Sequence, residues 1–183
     1  DFIREAAGGS RPFFLFVSHA APHFEGGHFF EPREGDHVCY PGPIPLEEDW
    51  QRFADSPVSF PPNFNEEDIS DKRGPAGRRP PMSEADVETV IRYLRCTRAA
   101  MQAVDRSVAE LVAALRDEGE LRNTVIIYTS DNGFFFGEHR RIWHKIWPYE
   151  PSLRVPLAVR VPARTLGAAP ARRSGALVGT IDL

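Results

Sequence analysis

The chain has 183 residues, is 42% hydrophobic and 26% charged, and carries a formal net charge of −4. That is one domain's worth of polypeptide on the usual span of about 100–200 residues per domain, and the composition excludes a fully disordered chain, a collagen and a cysteine-stapled mini-protein. No apolar run approaches the roughly 18–20 residues of a membrane span, and the mild acidity argues against a nucleic-acid binder, which shows a basic patch or stripe.

Residues 11–18, RPFFLFVS, form a short apolar run opened by Pro12. Its length and aromatic content predict a strand, and its few polar positions predict burial on both faces, as in a parallel sheet. Ala21-Pro22-His23 follows it. A histidine just past a strand end can bind an anion or move a proton; a plain surface-loop histidine is the alternative, and His19 and His28 compete nearby.

Residues 21–81 read as irregular, with 11 of the 17 prolines falling there. So long an unstructured stretch inside a domain is either functional or disordered, and DISDKRGPAGRRPP within it reads as a mobile polar loop. A long helix then opens at Ser83, where Ser83 and Asp86 fit a capping box. Val87, Val90, Ile91, Leu94, Met101, Val104, Val108, Leu111, Val112 and Leu115 recur mostly at steps of three and four, one stripe of a helix covering a sheet face. Gly119 is a natural stop.

Residues 123–130, NTVIIYTS, read as a second buried strand that runs straight into Asp131-Asn132-Gly133. Helix, apolar strand, polar turn is the grammar of an α/β fold, in which ligands bind beyond the carboxyl ends of the strands. The Asp131–Asn132 pair offers the carboxylate and amide oxygens a hard cation prefers; a simple Asx turn is the alternative. Gly137-Glu138-His139 and His144-Lys145 add ionisable groups downstream. Lys145 is one of only two lysines among 22 basic residues, the other being Lys72, and an ammonium acts on an anion as a point charge. Residues 154–161, RVPLAVRV, predict a third strand, residues 164–174 a loop, and ALVGTIDL the start of another element. Cys39 and Cys96 provide neither a disulfide framework nor a zinc spacing, and Cys96 reads as a buried thiol of the helix. There is no Walker loop, no G-x-G-x-x-G, no G-x-S-x-G and no carboxylate pair of the glycosidase kind.

Taken together, RPFFLFVSHAAPH (11–23), the capped helix running into AALRDEGELRNTVIIYTSDNGFFFGEHR (113–140) and HKIWPYEPSLRVPLAVRVP (144–162) resemble the type I sulfatases of the alkaline phosphatase superfamily. PPNFNEEDIS (61–70) and the final VGTIDL are similar to the N-acetylglucosamine-6-sulfatase branch. The resemblance implies an α/β fold: part of a mostly parallel sheet flanked by helices, with long irregular insertions, residues 24–82 being one. It implies that residues 1–183 are the central-to-late part of a catalytic domain that continues at both ends. It further implies that Asp131 and Asn132 ligate a divalent cation, usually Ca²⁺, that Lys145 and His23 contact the sulfate group, and that His139 lies near the substrate pocket.

Those residue types suit the chemistry. Sulfate-ester hydrolysis builds charge on sulfuryl and leaving oxygens, which fixed cations and donors stabilise; a metal acts as Lewis acid and a protonated histidine can serve the leaving group. The family's formylglycine, made from Cys or Ser in C/S-x-P-x-R, is expected upstream, with an Asp pair completing the metal site. Cys39-Tyr40-Pro41 imitates the motif's first three positions, but Pro43 stands where Arg is needed and the order relative to His23 is wrong. The expected activity is therefore that of a parent sulfuric ester hydrolase acting on an amino sugar or glycan, the 183-residue piece alone being inactive. A phosphonate or phosphate-ester hydrolase of the superfamily, or a non-catalytic binding relative, is the alternative. Partners are a sulfated small molecule or glycan, with no nucleic acid; export or a lysosomal address follows only from family habit.

Overall fold

A computed structural model describes residues 1–24, 36–166 and 171–183. His28 and the stretch of the insertion around it lie outside the described residues, as do residues 167–170 of the expected loop. In chain order the elements are helix α1 (Phe2–Ala7), helix α2 (Glu47–Phe53), a 3-10 turn (Gly74–Arg78), helix α3 (Glu84–Asp117), a 3-10 turn (Glu120–Arg122), strand β1 (Ile126–Thr129), helix α4 (Glu150–Leu153), strand β2 (Leu157–Arg160), helix α5 (Ala163–Leu166) and a final 3-10 turn (Thr180–Asp182).

Helix α3 is the spine. Its N-terminus is closed by the expected capping box: the Asp86 N–H donates to Ser83 Oγ at 3.2 Å and the Ser83 N–H to Asp86 Oδ2 at 2.9 Å. At the far end Gly119 takes a left-handed φ of 76°, which stops the helix without a Cβ penalty. The buried face of α3 is Val90, Tyr93, Cys96, Ala99, Ala100, Val104 and Leu115. Val90, Val104 and Leu115 belong to the expected stripe; the rest of that stripe is half-buried. Tyr93 and small residues fill the other buried positions.

The insertion is more ordered than its prolines suggest. It contains α2, whose Asp49 is buried and accepts two hydrogen bonds from the Arg106 guanidinium of α3, at 2.9 and 2.6 Å. Cys39 and Cys96 form a disulfide, both side chains fully buried. Cys39 is therefore neither a nucleophile nor a free thiol, and the expected buried thiol of Cys96 is corrected to a cross-link between the insertion and α3. The stretch expected to be a mobile polar loop is also anchored: Ile69 is buried and the Lys72 side chain is 9% exposed.

Strands β1 and β2 form at the second and third expected positions, but they pair antiparallel, with Ile126 opposite Arg160 and Thr129 opposite Leu157. The sheet of the described residues is thus two-stranded and antiparallel, and does not show the expected mostly parallel sheet. The reason lies in the connection: it is bonded to itself, Gly133 N–H to Ser152 O at 2.8 Å and Phe135 N–H to His144 O at 3.1 Å, so it doubles back instead of crossing over. Residues 11–18 form no strand, and Phe14 and Phe16 are 86% and 79% exposed. The expected loop at 164–174 begins as one turn of helix, α5, and residues 176–183 end in a 3-10 turn with Leu177 and Ile181 exposed.

Candidate functional site

The Asp131 turn leaves β1 at its carboxyl end. The Ser130 hydroxyl donates to Asn132 O at 2.9 Å, and Asn132 Nδ2 donates to Gly133 O at 2.8 Å. With its amide nitrogen so engaged, Asn132 has Oδ1 left as its acceptor, beside the exposed carboxylate of Asp131. Gly133 is required where it stands, because a Cβ would run into the carbonyl oxygen of Pro151.

That close approach fastens the Asp131 turn to the segment carrying Lys145. Gly133 bonds the backbone of Ser152, and the buried Ser152 hydroxyl donates to the carbonyl of Lys145. Within the same segment Arg141 is 1% exposed, its guanidinium lying 4.1 Å from the Trp147 ring centroid and 5.8 Å from that of Phe135. Its three side-chain nitrogens have no hydrogen-bond partner among the described residues. Cation–π contact with electron-rich rings replaces part of the lost hydration, and burial still lowers the guanidinium pKa from its usual value. Partial burial, then the charges of Arg79 and Arg141, hold the His144 imidazole below its usual range, so His144 is uncharged at neutral pH. Lys145 is then the cation of the His144–Lys145 pair.

His23 belongs to a separate loop. It closes a turn through its N–H to Ala20 O at 2.8 Å, its ring is exposed, and Nδ1 lies 3.0 Å from Phe24 O. Phe24 packs edge-on against Phe134, 5.3 Å between centroids, and against Tyr93 of α3 at 5.7 Å; Tyr93 in turn meets Trp143 at 5.8 Å. One aromatic cluster therefore gathers the loops of His23, Asp131 and Lys145 around α3. The competing His19 is instead bonded to Ser107 of α3, with 2.8 Å between Nε2 and Oγ.

His139 is built differently. Its Nδ1 is 2.7 Å from Glu66 Oε2 and its N–H donates to Asn63 O at 2.9 Å. The Arg140 guanidinium donates to the carbonyls of Glu66, Glu67 and Arg79. His139 thus faces the insertion, and its ring contact with Tyr149, 5.0 Å between centroids, ties it to the Lys145 segment. Glu66 and Ser152 are the residues that sequence reasoning passed over. Ser152 sits inside the YE-x-S pattern and Glu66 inside PPNFNEEDIS, so both lay in stretches already singled out, but nothing local marks either side chain as a partner.

The sulfatase family model matches residues 1–183, and the chain belongs to that family. It is 32% identical over 166 residues to an arylsulfatase of Volvox carteri, covering 87% of this chain and 25% of the relative. An N-acetylglucosamine-6-O-sulfatase of Bacteroides thetaiotaomicron is 46% identical over 71 residues, 38% of this chain and 12% of the relative. A protein solved in complex with its substrate D-glucosamine-2-N,6-O-disulfate aligns over 40% of this chain and 15% of its own, with 44% identity and a TM-score of 0.38. The chain spans about a quarter of the length of the arylsulfatase it matches.

Proposed function

We propose that residues 1–183 are the central-to-late part of a sulfatase catalytic domain whose parent hydrolyses a sulfate monoester on an amino sugar or glycan. The observation that carries this reading is the lock between the Asp131 turn and the Lys145 segment through Gly133, Ser152 and the Lys145 carbonyl. It makes a pair of oxygen donors and a cation parts of one unit in a chain that belongs to the sulfatase family. The names of the Volvox and Bacteroides relatives support the reaction, and the second supports the amino sugar.

A divalent cation such as Ca²⁺ fits the donors in kind. An exposed carboxylate and an amide whose nitrogen is already engaged supply two hard oxygens. Two donors are a share of the six to eight such an ion takes, about a third, and no group of three or more His, Cys, Asp or Glu among the described residues could hold a metal alone. The remaining ligands and the formylglycine nucleophile would come from outside residues 1–183. When bound, the cation would supply Lewis-acid polarisation. The chain's own residues do the rest: Lys145 neutralises sulfate oxygens as a point charge, and His23, exposed at its turn, donates to another oxygen or serves the leaving group. The sheet would be completed as a mostly parallel one by strands beyond the chain. The Cys39–Cys96 disulfide supports folding in an oxidising compartment.

The test is turnover of matched 4-nitrophenyl sulfate and phosphate esters by the full polypeptide. Preferential sulfate release is expected. Preferential phosphate release would transfer the domain to the phosphate-ester hydrolases, and binding of sulfated sugar without turnover of either ester would make it a non-catalytic relative.

A further inference from the structure

A groove of about 410 Å³ runs between helix α2 and helix α3, and Val38, Trp50, Glu88, Ile91, Arg92 and Arg95 are among its walls. Its volume lies within the range of small-molecule sites. Trp50 comes from α2, the last four residues from α3, and Val38 from the loop ahead of Cys39. The Cys39–Cys96 disulfide and the Asp49–Arg106 ion pair fasten the two sides to each other.

The lining joins an apolar, aromatic wall to two cations. Arg92 and Arg95 lie three residues apart on α3, and neither makes an ion pair among the described residues; nor does Glu88, one turn before Arg92. Of the Arg95 guanidinium only Nε is bonded among the described residues, to Ser56 O at 3.1 Å. The Arg92 guanidinium lies 5.4 Å from the Tyr93 ring centroid.

Polar atoms without partners gather at the same place. Apart from Arg141, the buried side-chain atoms of the described residues that lack a hydrogen bond are His37 Nε2, Ser56 Oγ and Arg92 Nε. Arg92 is in the wall itself. Ser56 gives its carbonyl to Arg95, and the His37 ring packs edge-on to Trp50, 5.8 Å between centroids. Glu47 Oε2 stands 3.8 Å from His37 Nε2, beyond hydrogen-bond reach. Buried polar groups are normally paired. One orphan in the wall and two on residues that touch the wall point to a ligand with hydrogen-bonding groups of its own.

We propose that this groove binds an acidic sugar unit, its ring laid against Trp50 and its anionic group held by Arg92 and Arg95. Guanidinium forks match the paired oxygens of a sulfate or carboxylate, and an aromatic wall takes the apolar face of a ring. Glu88 lies about 10 Å along the helix axis from Arg95, where it accepts a ring hydroxyl instead of repelling the anion. Polar partners spread along an aromatic wall suit a polyhydroxylated ring better than a flat aromatic acid. The inference goes beyond the sulfatase reading above and rests on it only in making the sugar a further unit of the same glycan; none of Asp131, His23 and Lys145 lines the groove.

The experiment follows the Trp50 indole N–H resonance of the ¹⁵N-labelled full polypeptide, assigned with Trp50→Phe. The probes are 6-deoxy-6-sulfoglucose, whose C–S bond is no ester, glucuronate, glucose and inorganic sulfate. A saturating shift is expected with the sulfonate, the carboxylate or both, which identifies the anion, and none with glucose or inorganic sulfate at the same concentration. Arg92→Gln and Arg95→Gln should each raise the dissociation constant about tenfold, the value of one charge-assisted hydrogen bond. An equal response to glucose or to inorganic sulfate, unchanged binding in both variants, or no shift with any probe overturns the proposal. Should Arg95→Gln, which loses its bond to Ser56, not fold, Arg92→Gln still decides. Absence of ester turnover by the wild type contradicts the sulfatase reading, while the Trp50 titration, which needs no turnover, still decides the groove.

Discussion

Ser152 connects two loops with one residue. Its carbonyl receives Gly133, and its hydroxyl, buried at 3% exposure, donates to the carbonyl of Lys145. Replacing Ser152 by Ala leaves that carbonyl without its donor, so unfolding free energy should fall by about 1–2 kcal/mol, with KM for the sulfate ester rising as the Lys145 segment loosens; urea unfolding and steady-state kinetics check the two. A second residue effect is visible in acid. The hydrogen bonds from Arg106 hold the buried Asp49 carboxyl below its usual pKa. Because the folded-state pKa is depressed, the stabilisation is fully present above the unfolded carboxylate range, near pH 4, and disappears as pH falls through the folded value. Asp49→Asn should lower stability at neutral pH and flatten the decline of stability with acid, read as melting temperature between pH 7 and pH 3. Single residues were legible here only where the pattern was local. The Ser83–Asp86 box lies within four positions, whereas Glu66 and His139 are 73 apart in sequence, and no periodicity links them.

Among the elements, α3 was the most legible, since capping, stripe and stop agree over 34 residues. The short α2 was not: Leu46, the residue that precedes it at the cap position, makes no side-chain cap bond, and its seven residues lie among prolines. What holds α2 in place is tertiary, through the Arg106 fork and the nearby disulfide. Cys39 and Cys96 are 57 residues apart, a spacing without meaning until the insertion is folded onto α3. Closing a loop of that length restricts the unfolded chain by about 4 kcal/mol in the chain-entropy account. Cys39→Ser, or reduction of the wild type, should therefore lower unfolding free energy by about 2–4 kcal/mol, and the two treatments should give the same shift in a denaturant titration. The strands were placed correctly at β1 and β2, but pairing direction is a property of the connection, and the bonds that fold residues 130–156 back on themselves join residues 9 and 19 apart in sequence.

On the scale of the molecule, apolar surface remains uncovered. Phe14 and Phe16 of the first apolar segment, Ile127 on β1 and Val159 on β2 are all substantially exposed. Exposed apolar patches beyond a few hundred Å² are rare on soluble monomers and mark contact surfaces or aggregation. The isolated 183-residue chain should bind the dye ANS and self-associate in sizing chromatography, and the full polypeptide should do neither. The chain has the size of one domain and spans a quarter of the length of the arylsulfatase it matches. Whether the Asp131 turn and the Lys145 segment act together on a sulfate ester is decided by sulfate released from N-acetylglucosamine 6-sulfate by the full polypeptide and its Asp131→Ala and Lys145→Ala variants. Release by the wild type and a loss of about 10²–10³ in kcat/KM for each variant are expected. No release by the wild type, or near wild-type rates in both variants, would contradict that joint action.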